Sequence, residues 1–143
     1  MDDMEDQLIE LEVITPNGVV VRETVDEVEA PGILGHFGVL PGHRPFMSQL
    51  RAGDLRYRTG SEDHFVAVHW GFTEVLPHKV TVLVETAELA ADIDLQRAET
   101  AKQRAETRLQ EFGATYDSGK LRQDYEKAQA RLETVQRATK ADH

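Results

Sequence analysis

The chain has no cysteine. Disulfide scaffolds, thiolate-ligated zinc, iron–sulfur clusters and thiol nucleophiles are excluded with it. Long apolar runs are missing too. Stretches such as Val19-Val20-Val21 fall far short of the roughly 20 residues that span a bilayer. Positive charge is scarce: 16 Lys and Arg stand against 26 Asp and Glu in 143 residues, a formal net charge of −10. Phosphate neutralisation needs clustered bases, so this balance argues against a nucleic-acid partner. The opening Met1-Asp2-Asp3-Met4-Glu5-Asp6 is acidic, the reverse of a secretory signal's basic start. The expectation is a protein that meets a membrane only through a partner. Its length suits one domain, or a small domain with an appendage, burying about two thirds of its unfolded surface.

What is present divides the chain in two. Residues 1–90 hold 16 acids and 6 bases, whereas residues 91–143 hold 10 of each. All five prolines lie before residue 78, and after Gly71 the only glycines are Gly113 and Gly119. Boundaries of 1–90 and 91–143 follow.

The front part reads as short strands. Leu8–Ile14 ends at the turn signal Pro16-Asn17-Gly18, and Val19–Arg22 and Val25–Ala30 follow. Leu55–Arg58 and His64–Trp70 flank the hairpin loop Thr59–Asp63. Gly71–Leu76 then turns at Pro77-His78-Lys79 into Val80–Val84. Closely spaced turns with β-branched residues between them predict an antiparallel β-sandwich or flattened barrel. No long helical pattern separates the strands, which argues against crossover units.

The back part changes period. Ala98, Ala101, Ala105, Leu109 and Phe112 share one helical face. Asp94 stands where an N-cap satisfies the first free amides. Gly113 reads as a stop, and Asp117 or Ser118 as the next cap. Leu121, Tyr125, Ala128, Leu132 and Val135 form a second, heptad-like seam. Two helices of roughly 20 residues on a short loop fold back as an antiparallel hairpin. The class is α+β: a sandwich followed by a helical hairpin. The alanine seam buries little area, so weak docking is expected.

Enzymatic constellations do not emerge. The six histidines are dispersed, and none forms a helical i, i+4 pair. His64 and His69 fall on opposite faces of a regular strand. There is no nucleophile elbow and no phosphate-loop spacing. Gly35-His36-Phe37-Gly38 alone is too short a pattern to propose phosphate binding, and pairs such as Asp26-Glu27 read as solvated surface. The densest backbone constraint is Gly35–Phe46, with three glycines and two prolines in twelve residues. It reads as a long connection at one end of the sandwich, where recognition commonly lies.

Several tracts in register resemble the epsilon subunit of bacterial and chloroplast F-type ATP synthase, counterpart of the mitochondrial delta subunit. They are Gly38-Val39-Leu40-Pro41-Gly42-His43-x-Pro45, Gly53, Gly71-Phe72-x-Glu74-Val75, Val80-Thr81-Val82-Leu83, Ala87-Glu88 and Ile93-Asp94-x-x-Arg97-Ala98. The resemblance runs from about Leu8 to about Leu132. It implies a non-catalytic subunit at the foot of the rotor stalk, bound to the gamma subunit and the c-subunit ring. Such a subunit helps couple proton flow to ATP synthesis. Its hairpin lies folded or extends along gamma to the alpha and beta subunits, where it inhibits hydrolysis. The implied location is peripheral, at the cytoplasmic face of the bacterial inner membrane.

The resemblance further assigns His36, Phe37, Gly38, Val39, Leu40, Pro41, Gly42 and His43 to the contact with gamma and the ring. Relatives often carry an acidic residue where this chain has His36. No cofactor is required, but some relatives bind regulatory ATP on the folded hairpin. Carried over, that site comprises Glu88, Ile93, Asp94, Arg97, Ala98, Arg104, Lys127 and Arg131. The alternative is a free-standing nucleotide-sensing or adaptor module of the same plan, which has no need of the Gly/Pro-rich segment.

Overall fold

The computed structural model describes residues 7–112 and 118–141, in which eight strands precede two helices. The strands are β1 (Ile9–Thr15), β2 (Gly18–Val25), β3 (Glu27–Gly32), β4 (Gly35–Val39), β5 (Phe46–Leu50), β6 (Gly53–Thr59), β7 (Glu62–Leu76) and β8 (Lys79–Leu89). A 3₁₀ turn, Ala90–Asp92, leads to helices α1 (Leu95–Phe112) and α2 (Ser118–Ala141).

Local chemistry builds the hairpins. β1 and β2 meet across Pro16-Asn17, with Thr15 opposite Gly18. The Asn17 amide donates to Thr15 Oγ1 at 3.1 Å, a side-chain turn of the kind Ser and Thr favour. β6 and β7 meet across Gly60-Ser61, where Gly60 adopts φ +65°. Its amide donates to Asp26 Oδ2 at 2.6 Å, tying this turn to the end of β2.

The sheet runs β2-β1-β8-β7-β5-β3-β4, with β6 also pairing β3 and β7. Both β5 and β6 thus join β3 to β7, which closes the sheet on itself around one core. Ile9, Leu11, Val28, Leu55, Val66, Val75, Val80 and Val82 are each about fully buried there. Each contributes about 1.5–3 kcal/mol of transfer free energy.

Four findings refine the sequence reading. First, β1 and β8 pair in parallel, Glu10 opposite Lys79 to Ile14 opposite Leu83, so one pair departs from the antiparallel pattern. Second, Gly71–Leu76 is no separate strand; it continues β7. At Trp70 the backbone enters the left-handed region, φ +48°, and the inward-facing set switches from Val66 and Val68 to Thr73 and Val75. β8 switches alongside it, from Val80, Val82 and Val84 to Ala87 and Leu89. Strict alternation fails across such a switch, so the sequence looks like two strands. Third, Gly35–Val39 is the strand β4 paired with β3, which leaves only residues 40–45 as connection. Fourth, Val39 is fully buried in the core and unavailable to a partner.

The helices follow their seams. The Arg97 amide donates to Asp94 Oδ1 at 3.0 Å, so Asp94 is the cap of α1. Ala98 and Ala105 are buried, and Phe112 is 44% exposed. Gly113, Asp117 and the Ser118 side chain lie outside the described residues.

Candidate functional site

The site is built where the hairpin meets the sandwich. In α2, Ala128, Ala130, Leu132 and Thr134 are all buried. Successive pairs are 200° apart around a helix, so α2 is covered on two opposite sides. Its packing neighbours are α1 and the strands β6 and β7. β7 is correspondingly buried on both faces from Phe65 to His69. Ala67, Ile93, Ala98 and Leu132 form a small second core, with Val135 packed against it. Weak docking, expected from the alanine seam alone, overlooks this second face.

That face also carries a clamp the sequence reading missed. Arg137 Nη1 donates to Asp54 Oδ2, and to Glu29 Oε1 at 3.1 Å. Its guanidinium lies 5.1 Å from the Phe65 ring centroid. The Asp54 side chain is only 4% exposed, so the ion pair with Arg137 offsets the cost of burying it. His36 Nε2 stands 3.6 Å from Asp54 Oδ1. Ligating atoms of Glu29, His36 and Asp54 fall within 4.8 Å of one another, but both carboxylates already serve Arg137.

Fold-back assembles most of the residues expected to hold ATP. Arg131 Nη2 donates to Glu88 Oε2 at 2.9 Å and its Nε lies 2.7 Å from Oε1 without hydrogen-bond geometry, an ion pair joining α2 to β8. Arg131 lines a groove of about 520 Å³ together with Asp94, Arg97 and Arg104. A neighbouring cleft of about 310 Å³ adds Lys127 and Arg108 to Arg104 and Arg131, with Asp124 on its rim. Four guanidinium groups and one ammonium gathered on adjoining surfaces suit a polyanion, and the guanidiniums fit phosphate oxygens in pairs. Ile93 and Ala98 are instead buried in the second core, where they support the groove from beneath. Asp94 is engaged in capping.

The expected partner-contact segment divides. Gly38, Leu40, Gly42 and His36 are exposed; Phe37, Pro41 and His43 are half-buried; Val39 is core. Phe37 meets Phe46 edge-on at 5.3 Å, and the His43 ring lies 5.0 Å from Phe46. The Gly42 amide donates to Pro77 O at 2.6 Å, which anchors the connection to the β7–β8 turn.

A larger apolar surface lies elsewhere. Ile33, Trp70, Phe72 and Leu83 line an open groove of about 800 Å³, with Arg51, Glu85 and Glu126 among its polar residues. Phe72, Leu83 and Ile33 are each half exposed or slightly more. Clusters of this kind on a sheet face mark interaction surfaces. The exposure of Phe72 follows from the parity switch at Trp70, so only a reading that located the bend could have found it.

Against known proteins, two family models match. The one described as "ATP synthase, Delta/Epsilon chain, beta-sandwich domain" covers residues 8–90. That described as "ATP synthase, Delta/Epsilon chain, long alpha-helix domain" covers residues 91–141. The chain belongs to the ATP synthase delta/epsilon family. It is 52% identical over 106 residues to ATP synthase epsilon chain 2 of Syntrophotalea carbinolica, spanning 74% of this chain and 77% of that one. Against the ATP synthase epsilon chain of Nitratidesulfovibrio vulgaris, identity is 47% over 124 residues, or 87% of this chain and 92% of that one. For Syntrophobacter fumaroxidans it is 45% over 129 residues, 90% and 96% of the two chains. A chain in the cryo-EM structure of Euglena gracilis mitochondrial ATP synthase (OSCP/F1/c-ring) has the same fold, with TM-score 0.70 and 21% identity over 96% of this chain and 82% of that one.

Proposed function

We propose that this protein is the epsilon subunit of a bacterial F-type ATP synthase: a non-catalytic rotor subunit that couples proton flow to ATP synthesis. In this reading the sandwich binds the gamma subunit and the c-subunit ring, and the hairpin regulates hydrolysis by leaving the sandwich for the alpha and beta subunits. Any association with a membrane is indirect, through the complex; no helix among the described residues is long and apolar enough to cross one. The observation that carries the reading is the apolar groove around Trp70, Phe72 and Leu83, bordered by Glu126 of the hairpin. A protein docked there touches the sandwich and the flank of α2 together, so its binding and hairpin release are coupled. A free-standing nucleotide sensor has no use for that surface.

Regulatory ATP is part of the same proposal. Arg97 and Arg104 come from α1, Lys127 and Arg131 from α2, and Glu88 from β8. Only the folded state offers all of them to one ligand, so ATP favours the docked hairpin by its differential affinity for the two states.

Co-purification with its gamma subunit tests the first part. The double variant Trp70→Ser, Phe72→Ser is expected to lose gamma while remaining folded; retention at wild-type level sinks the interface. Calorimetry with millimolar ATP tests the second. Arg104→Ala is expected to weaken binding by about tenfold or more, the scale of a charged hydrogen bond. Equal heats in wild type and variant would remove ATP from this site.

A further inference from the structure

His69 lies under the hairpin and serves none of the contacts assigned above. The residue is 7% exposed, on the face of β7 that α2 covers. Its Nδ1 stands 3.7 Å from Glu85 Oε2, and its ring is tilted against Trp70 at 5.6 Å. Nε2 is buried and has no hydrogen-bond partner among the described residues. A neutral imidazole tolerates this, because an unprotonated nitrogen leaves only a lone pair unsatisfied. An imidazolium there carries a charged N–H with no acceptor, among the most costly of buried groups.

We propose that His69 makes docking of the hairpin pH-sensitive, protonation of its ring beneath α2 releasing the hairpin from the sandwich. The inference rests on the reading above that the hairpin can leave. The groups facing the ring have mixed signs. Glu85 on β8 and Asp124 and Glu126 on α2 favour the imidazolium, whereas Lys127 on α2 opposes it. Glu88, opposite Ala67, is held by Arg131; Asp92 in the 3₁₀ turn is exposed. From the β5–β6 side, Arg51 lines the groove that Trp70, Glu85 and Glu126 share. Burial outweighs the acids and holds the ring below its ordinary 6.5.

The sign follows from linkage. Release returns the ring to water, where its affinity for a proton recovers. Docking is therefore undisturbed above about pH 6.5 and weakens as the pH falls below it, until the docked ring too is protonated. The carboxylates nearby limit the effect but do not reverse it.

The absence of native cysteine allows dyes at Ser61→Cys and Lys140→Cys in the full chain. Energy transfer between them is expected to fall from about pH 8 to about pH 5.5 in wild type and to stay level in His69→Gln. Circular dichroism confirms that the variant folds. Should it not, Glu85→Gln serves instead: with one favouring carboxylate removed, the docked ring resists protonation more strongly, and the fall in transfer on acidification becomes larger than in wild type. A direct NMR titration of the His69 ring in the wild-type chain should give a value below the ordinary one. An identical fall in wild type and His69→Gln overturns the proposal yet leaves hairpin release standing. Level transfer in wild type across the range overturns it too, and addition of gamma then reads separately whether the hairpin leaves at all.

Discussion

Arg137→Ala is expected to free the hairpin while leaving the sandwich folded. The substitution removes the partner of Asp54, whose side chain is 4% exposed, and of Glu29 beside it. In the docked state an uncompensated carboxylate then stays beneath α2. Breaking a fully buried pair costs about 3–5 kcal/mol. Arg137 itself is 38% exposed and His36 remains near Asp54, so about 2 kcal/mol is the better expectation, or roughly thirtyfold in the docked-to-released ratio. Hydrogen exchange should show faster opening across α1 and α2 and unchanged protection in β1 and β8. The double variant Asp54→Ala, Arg137→Ala should recover part of the loss, because no orphaned charge is left. Unaltered exchange in Arg137→Ala would mean that the clamp contributes nothing.

Gly71→Ala should damage the sandwich itself. A Cβ at this position would overlap the carbonyl oxygen of Leu83 and come within 2.8 Å of the Val84 Cα. Those are backbone atoms of the paired strand, Gly71 being opposite Val84, so no side-chain rotation relieves the clash. β7 and β8 must separate just after the bend at Trp70. A loss of about 2–4 kcal/mol is expected, a large share of the stability of a domain this size. Denaturant unfolding read by Trp70 fluorescence measures it, and a midpoint equal to wild type would refute the close approach. Ala at Gly38, where no atom lies within 4 Å, provides the matched control.

Sequence logic reached the elements whose causes are local. The Pro16-Asn17 and Gly60-Ser61 turns, the Asp94 cap and the alanine seam of α1 each arise from side chains within a few residues of one another. Of the expected ATP residues, the geometry was partly legible for the same reason. Spacing puts Arg97 and Arg104 on one face of α1, about two turns apart, and fold-back brings Arg131 to them. The ion pair between Arg131 and Glu88, however, spans 43 residues of sequence.

By itself, then, the sequence determined the two-part plan, because strand period, helical period and turn chemistry are properties of short windows. Tertiary structure alone decided the rest. Alternation is the same whichever way a neighbouring strand runs, so only packing set β1 parallel to β8. One left-handed residue, Trp70, moved Phe72 outward and Val75 inward. Partners as distant as Arg137 and Asp54, 83 residues apart, became neighbours only when α2 lay across β6 and β7. Burial of that carboxylate, a quantity no sequence window contains, is what turns an ordinary surface arginine into the clamp that holds the hairpin down.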